Sequence, residues 1–360
     1  MSRQSGLTRR ELILAGGAAA ALGSMVPLPA SSATALRHAP PLDPLALVDP
    51  GVRPPLEAMI KSNGVFVVNE KTLQQARKPW PNLPAPQPAP PYEERKIPGA
   101  MGAPDVRVYL INAGAKDRPR PAILHMHGGG YVLGTAATSI PALQQLAKEQ
   151  DCVIATVDYR LAPETPFPGS LEDNWAALKW LYGSAASLGV DPSKIAVMGE
   201  SAGGGHAAML AIAARDRGEV PVAFQLLIYP MLDDRTGSSR RVPPYLGAYI
   251  WLPESNRFGW SSLLGVTAGS RSVPAGAVPA RVEDLAGLPP AFIGVGSVDL
   301  FVDEDIDFAR RLIDSGVPTE LCVVPGGYHG FDVIAPGAPA SKAFRASWSA
   351  ALAKAFAAPA

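Results

Sequence analysis

The chain has 360 residues, 47% of them hydrophobic, and carries 32 basic and 32 acidic side chains. That is enough apolar material for one large core, in one or two domains by length. A zero net charge argues against a partner that tracks a phosphate backbone, so no nucleic acid is expected, nor a strongly anionic substrate.

Residues 1–35 read as a twin-arginine signal peptide. Arg9 and Arg10 stand in TRRELIL, an apolar stretch runs from Leu12 to Leu28, and Ala33-Thr34-Ala35 gives a small-x-small cleavage pattern. The alternative is an uncleaved anchor, but the apolar run is short and is broken by Pro27 and Pro29. The expected product is periplasmic or secreted, with no stable membrane insertion after cleavage. Residues 36–95 form a Pro-rich N-terminal arm or cap, with helix candidates in LEAMIKS and KTLQQARK and a polyproline-like connection in NLPAPQPAPP. The arm is expected to lie over the main domain rather than fold alone.

Residues 96–360 read as the main domain. VRVYLIN (106–112), AILHMHG (122–128), CVIATVDY (152–159), KIAVMG (194–199), AFQLLIY (223–229), AFIGVGS (291–297) and LCVVPG (321–326) are strand-like. Helical spacing covers 171–189, 202–218, 303–316 and 341–357. Continuous apolar strands alternating with helices predict an α/β fold, a mostly parallel sheet with helices on both faces. The alternation lapses over about 231–288, a natural cap insertion near the carboxyl ends of the strands, where α/β sites form. Cys152 and Cys322 sit in strand-like runs and read as small buried hydrophobes; sequence leaves open whether they pair. No CxxC or His/Cys cluster suggests a metal site.

Gly199-Glu200-Ser201-Ala202-Gly203 is a G-x-S-x-G match between a predicted strand and a predicted helix, the context in which a serine hydroxyl is pushed out of a sharp turn. A helix N-cap serine is the plainer alternative. A serine nucleophile needs a base, and the chain offers five histidines. His38 lies in the arm, His125 and His127 on or at the end of a strand, and His206 on the helix after Ser201, facing away. His329, in GGYHGF after the last strand, fits the order Ser, acid, His. Asp299, directly after AFIGVGS, is the candidate acid, with Asp303 the fallback; acids in the first helical turn also serve the helix dipole. His127-Gly128-Gly129-Gly130-Tyr131 follows a strand and reads as an oxyanion loop. Gly129, Gly130 and Ala202 are the candidate amide donors and Gly128 shapes the turn. An ordinary Gly-rich loop is the alternative.

HGGGY (127–131), DYRLAPE (158–164), GESAGG (199–204), DLFVDE (299–304) and GGYHGF (326–331), in this order, resemble the hormone-sensitive-lipase-like esterases, bacterial family IV. The resemblance implies an α/β-hydrolase fold with an N-terminal cap, no cofactor or metal, a triad of Ser201, Asp299 and His329, and hydrolysis of short- to medium-chain acyl esters. Glu200 stands where the family more often has Asp, and Leu300 and Phe301 depart from its D-P-L pattern; both touch substrate shape more than chemistry. GESAGG also occurs in the larger type-B carboxylesterases, but YRLAPE and the shorter chain favour the first family. Tyr131, Glu200, Trp251 and Tyr328 are candidate substrate-binding residues, as is Trp260, though packing is the commoner role for such aromatics. Arg160 and Glu164 read as a polar pair bracing the oxyanion loop.

The expected activity is that of a serine carboxylesterase on a small-molecule ester. An amidase, formamidase or lactonase on the same triad stays open, as does a non-catalytic ligand-binding relative. Monomer and homodimer fit the sequence equally.

Overall fold

The computed structural model describes residues 42–78, 84–100, 102–114 and 116–358; the expected signal peptide lies outside them. Eight strands form one sheet: β1 (Tyr92–Ile97), β2 (Val106–Ile111), β3 (Arg120–Met126), β4 (Val153–Asp158), β5 (Val190–Glu200), β6 (Phe224–Ile228), β7 (Ala291–Gly296) and β8 (Thr319–Val324). Their order is β1-β2-β4-β3-β5-β6-β7-β8. The β1–β2 and β2–β4 pairs are antiparallel and the rest are parallel. β6 and β7 are buried along their whole length, because helices cover both faces of a parallel sheet.

The helices are α1 (Arg53–Asn63), α2 (Leu73–Ala76), α3 (Ile140–Glu149), α4 (Gly169–Gly183), α5 (Ala185–Leu188), α6 (Ala202–Arg217), α7 (Pro253–Leu264), α8 (Val302–Asp314), α9 (Phe331–Ile334) and α10 (Pro339–Ala357). Strand alternation sorts the core into two layers. Leu124, Val197, Leu227 and Ile293 pack with α4, α6 and α8. Ile123, Ala196, Leu226 and Phe292 pack with α3 and α10. No helix among the described residues is long and apolar enough to cross a membrane. Cys152 is buried, Cys322 is half-buried, and both are free.

β1 and α3 are among the elements that escape the sequence patterning. β1 is YEERKI, five of its six residues exposed, and exists only by pairing with β2. It crosses the boundary expected at 95/96, so the sheet begins inside the arm. In α3, Ile140, Leu143, Leu146 and Ala147 make a short buried stripe behind a proline in the first turn. The segment 231–288 contains α7 and loops that pack into the core through Trp260, Leu263 and Leu285. Two buried acids brace it internally: Asp233 is paired with Arg235 and Arg240, and Asp234 with Arg281. The arm is tied across the carboxyl ends of the strands. The Asp49 amide donates to the Gly326 carbonyl (3.1 Å), the Tyr328 hydroxyl to the Val52 carbonyl (3.1 Å), and the Val68 amide to Ser255 Oγ (2.9 Å).

Candidate active site

β5 runs into α6 with Ser201 as the single joint. Ser201 sits at φ 57°, ψ −123°, a conformation that costs a side-chain-bearing residue about 1–3 kcal/mol. Three backbone bonds hold it there. Its amide donates to the Ile228 carbonyl (2.9 Å), and its carbonyl accepts from Gly205 (3.0 Å) and Met231 (2.9 Å). The flanking glycines are a steric requirement. A Cβ on Gly203 would stand 2.0 Å from the Met126 carbonyl oxygen, and one on Gly199 2.2 Å from the Gly203 backbone.

The Ser201 hydroxyl lies 2.9 Å from His329 Nε2, and His329 Nδ1 lies 2.8 Å from Asp299 Oδ2. With a proton on Nδ1, that nitrogen donates to the carboxylate and Nε2 is free to accept from the serine. The other Asp299 oxygen accepts from the Phe301 amide at 3.0 Å, fixing the carboxylate plane. Exposure rises outward, from 0% at Asp299 to 6% at His329 and 7% at Ser201. Tyr229 and Phe301 turn their rings edge-on against the imidazole at 5.0 and 5.2 Å. The fallback acid is excluded by position: Asp303 is exposed on the first turn of α8. Its buried neighbour Glu304 instead accepts from the Leu232 (2.7 Å) and Asp233 (3.1 Å) amides, and burial pushes its carboxyl up to about 8. Asp305 is raised as well, by burial and by the adjacent acids.

The glycine loop faces Ser201. A Cβ on Gly128 would meet the Glu200 carbonyl at 3.0 Å and Ser201 Cβ at 3.4 Å. Gly129, Gly130 and Tyr131 have φ of 129°, 58° and 68° in succession. A Cβ on Gly130 would stand 2.0 Å from the Trp251 indole. The Gly129 carbonyl accepts from Val132 (3.1 Å) and Leu133 (2.8 Å), which turns the loop back on itself. Among the described residues no acceptor meets the amide N–H of Gly129, Gly130 or Ala202. Beneath the loop His127 stacks on Tyr159 (4.2 Å, 10°), and burial pushes its imidazole down to about 4.

Several expected wall residues lie elsewhere. Tyr131 and Tyr328 are buried inside, because their hydroxyls donate to the Met231 (2.7 Å) and Val52 (3.1 Å) carbonyls. Trp260 is wholly buried against Tyr131. Trp251 does cover the loop at Gly130, its indole N–H donating to Asn256 Oδ1 at 3.1 Å. Glu200 is partly exposed beside the nucleophile, with Oε2 3.0 Å from His125 Nε2; that buried ring is fixed by Thr156 Oγ1 at 2.8 Å. Arg160 and Glu164 do not pair with each other. Arg160 chelates buried Asp173, and Glu164 takes Arg77 from the arm. Among the described residues no group of three or more His, Cys, Asp or Glu is arranged to hold a metal ion.

Sequence patterning misses Arg77, which stands just after α2 and carries no motif. Its Nε donates to the Val132 carbonyl (2.8 Å), Nη2 to the Ala162 carbonyl (2.9 Å), and Nη1 and Nη2 to the two Glu164 oxygens (2.6 and 2.8 Å). Tyr229 is missed too: it directly follows β6, touches His329, and donates to buried Asp332 at 3.0 Å.

A family model described as alpha/beta hydrolase fold matches residues 123–333. The chain is 33% identical to esterase LipI of Mycobacterium tuberculosis over 83% of its own length and 94% of that protein. It is 35% identical to carboxylesterase NlhH of the same species over 78% and 86%. The solved structure of a bacterial heroin esterase matches with a TM-score of 0.73 at 32% identity, covering 88% of this chain and 100% of that one.

Proposed function

The chain belongs to the α/β-hydrolase fold family, in its hormone-sensitive-lipase-like branch, and we propose from this and from the site that it is a serine carboxylesterase acting through an acyl-enzyme. The observation that carries the proposal is the 2.9 and 2.8 Å chain from Ser201 through His329 to Asp299, set beside three amides that meet no acceptor among the described residues.

Ser201 Oγ attacks the ester carbonyl carbon while His329 Nε2 takes its proton. The carbonyl π pair moves onto oxygen, where the Gly129, Gly130 and Ala202 amides meet it; a preset donor of this kind lowers the barrier by about 3 kcal/mol. Collapse expels the alcohol, which leaves with the proton from Nε2. Water then enters, loses a proton to the same nitrogen as its oxygen bonds to the acyl carbon, and collapse breaks the bond to Ser201 Oγ, which takes the proton back from Nε2 as the acid is released. Asp299 accepts from Nδ1 and keeps the imidazole in the productive tautomer. The relatives' esterase names support the ester over the amide or lactone.

Chromogenic esters of graded acyl length, turned over by the purified chain beside Ser201→Ala, test the proposal. Turnover that peaks at short or medium chains and is lost in the variant is the expected result. Equal rates in both proteins, or faster turnover of amides or lactones, would refute it. The leader read in residues 1–35 supports export to the periplasm or medium. Replacing both Arg9 and Arg10 by Lys should then leave the protein in the cytoplasm, seen by fractionation.

A further inference from the structure

The arm touches the site at two places that hydrolysis uses. At one end Asp49 and Val52 hold Gly326 and Tyr328, the approach to His329. At the other, one guanidinium grips the back of the glycine loop. We propose that Arg77 is a positioning residue that holds the oxyanion loop at the height where the Gly129 and Gly130 amides meet the acyl oxygen; the proposal rests on the serine-esterase reading above.

The loop needs an external restraint. It contains three consecutive positive φ angles, the last at Tyr131, where a Cβ makes the conformation costly. Its inner side is fixed by the Tyr131 hydroxyl on the Met231 carbonyl. Its outer side is fixed by Arg77. The Val132 carbonyl that takes Nε belongs to the residue whose own amide donates to the Gly129 carbonyl at 3.1 Å. The Ala162 carbonyl that takes Nη2 belongs to the residue whose amide donates to the Tyr131 carbonyl at 3.0 Å. Two segments already bound to the loop are thus locked to each other by one rigid fork. A guanidinium can do this because its donors point along several fixed directions in one plane; an ammonium on a flexible stem cannot reproduce them together.

The anchor itself is firm. Leu73 is buried, and Thr72 Oγ1 donates to the Val67 carbonyl (2.7 Å) while accepting from the Asn69 amide (2.9 Å). The Glu164 side chain is 57% exposed, so its ion pair contributes little by itself and serves to orient the fork. The grip on the two backbone carbonyls is therefore the part that matters. That ranking separates Arg77 from Glu164 experimentally.

Arg77→Ala, Arg77→Lys and Glu164→Gln are compared with the wild-type full chain on a chromogenic ester. Two inhibitors are added: a trifluoromethyl ketone, whose Ser201 hemiketal puts an oxyanion in the hole, and the matching methyl ketone, which does not. A displaced loop of about 1 Å should cost roughly 10- to 100-fold in kcat, with KM within about threefold. Trifluoromethyl ketone affinity should fall by the same factor while methyl ketone affinity holds. Arg77→Lys should recover part of kcat, added guanidinium should partly restore Arg77→Ala, and Glu164→Gln should stay within a few-fold of wild type. An Arg77→Ala protein with kcat within twofold of wild type overturns the proposal, as does equal loss of affinity for both ketones. Should Arg77→Ala fail to fold, Arg77→Lys decides by the same ketone comparison, and an unaltered kcat there is likewise fatal. Absence of wild-type turnover on every ester removes the esterase reading and this one with it; an active wild type with an unimpaired Arg77 variant removes this one alone.

Discussion

Gly203→Ala sets two opposed effects against each other at one atom. Gly203 lies in the first turn of α6, and replacing a helical glycine by alanine ordinarily stabilises by up to about 1 kcal/mol. Here the new methyl would stand 2.0 Å from the Met126 carbonyl oxygen, 2.7 Å from the Met126 carbonyl carbon and 2.7 Å from the His127 carbonyl oxygen. All three are backbone atoms of β3 and the residue after it, so no side chain can swing away. Restoring van der Waals distance requires α6 and β3 to part by about 1 Å, and overpacking of that kind costs about 1–3 kcal/mol. The clash outweighs the propensity, so a net loss of about 1–2 kcal/mol is expected. The same displacement moves the Ala202 amide and the Ser201 elbow relative to the glycine loop, which should lower kcat by about 100-fold. Urea unfolding and ester kinetics measure the two effects side by side. Gly183→Ala is the control: Gly183 ends α4 with open space where the methyl would go, so it should gain stability and keep full activity. A Gly203→Ala protein with wild-type stability and kcat would show that the elbow's close approach is not what the glycine is for.

Two further outcomes follow from the buried acids. Asp299→Asn should lower kcat by about 10⁴-fold with the fold intact by circular dichroism, because an amide at 2.8 Å from Nδ1 favours the wrong imidazole tautomer. Glu304 keeps its proton up to about 8 in the folded chain but releases it near 4.5 when unfolded. Between those values the native state binds more protons, so stability should fall as pH rises from 5 to 8, by a few kcal/mol at most. Denaturant midpoints across that range should therefore decline in the wild type and flatten in Glu304→Gln; a parallel decline in both would assign the slope to other groups, Asp305 first among them.

The elements legible in the sequence are those whose reason for existing is local. β3, β6 and β7 are apolar runs that only a doubly covered sheet explains; the three glycines follow β3 and Ser201 follows the buried end of β5, whereas His329 follows the half-exposed β8. The elbow's glycines are legible because a sharp strand-to-helix joint leaves no room for a Cβ. What depends on distant partners is not. β1 has no apolar alternation and is a strand only opposite β2. Arg77 has no neighbour in sequence that hints at Val132 or Ala162. Arg160 and Glu164, four residues apart in one motif, look like a pair but face Asp173 and Arg77, because complementary charge says nothing about direction. Tyr131 and Tyr328 look like pocket walls because they sit beside functional residues; each instead spends its hydroxyl on a backbone carbonyl inside the protein.

Ser201, Asp299 and His329 extend from the ends of β5, β7 and β8, rungs of one parallel ladder with β6 between the first two. The sheet thereby acts as a ruler. Its strand pitch of about 4.8 Å sets the spacing of the three groups, and that pitch is a property of peptide hydrogen bonding, indifferent to side chains. The arm and the 231–288 segment lie above the ruler and, away from the contacts that reach down to it at Asp49, Val52, Arg77 and Met231, can change length and composition without rescaling it. A lineage of such proteins can explore new esters by rewriting what overhangs the sheet while its reactive distances are handed down unchanged.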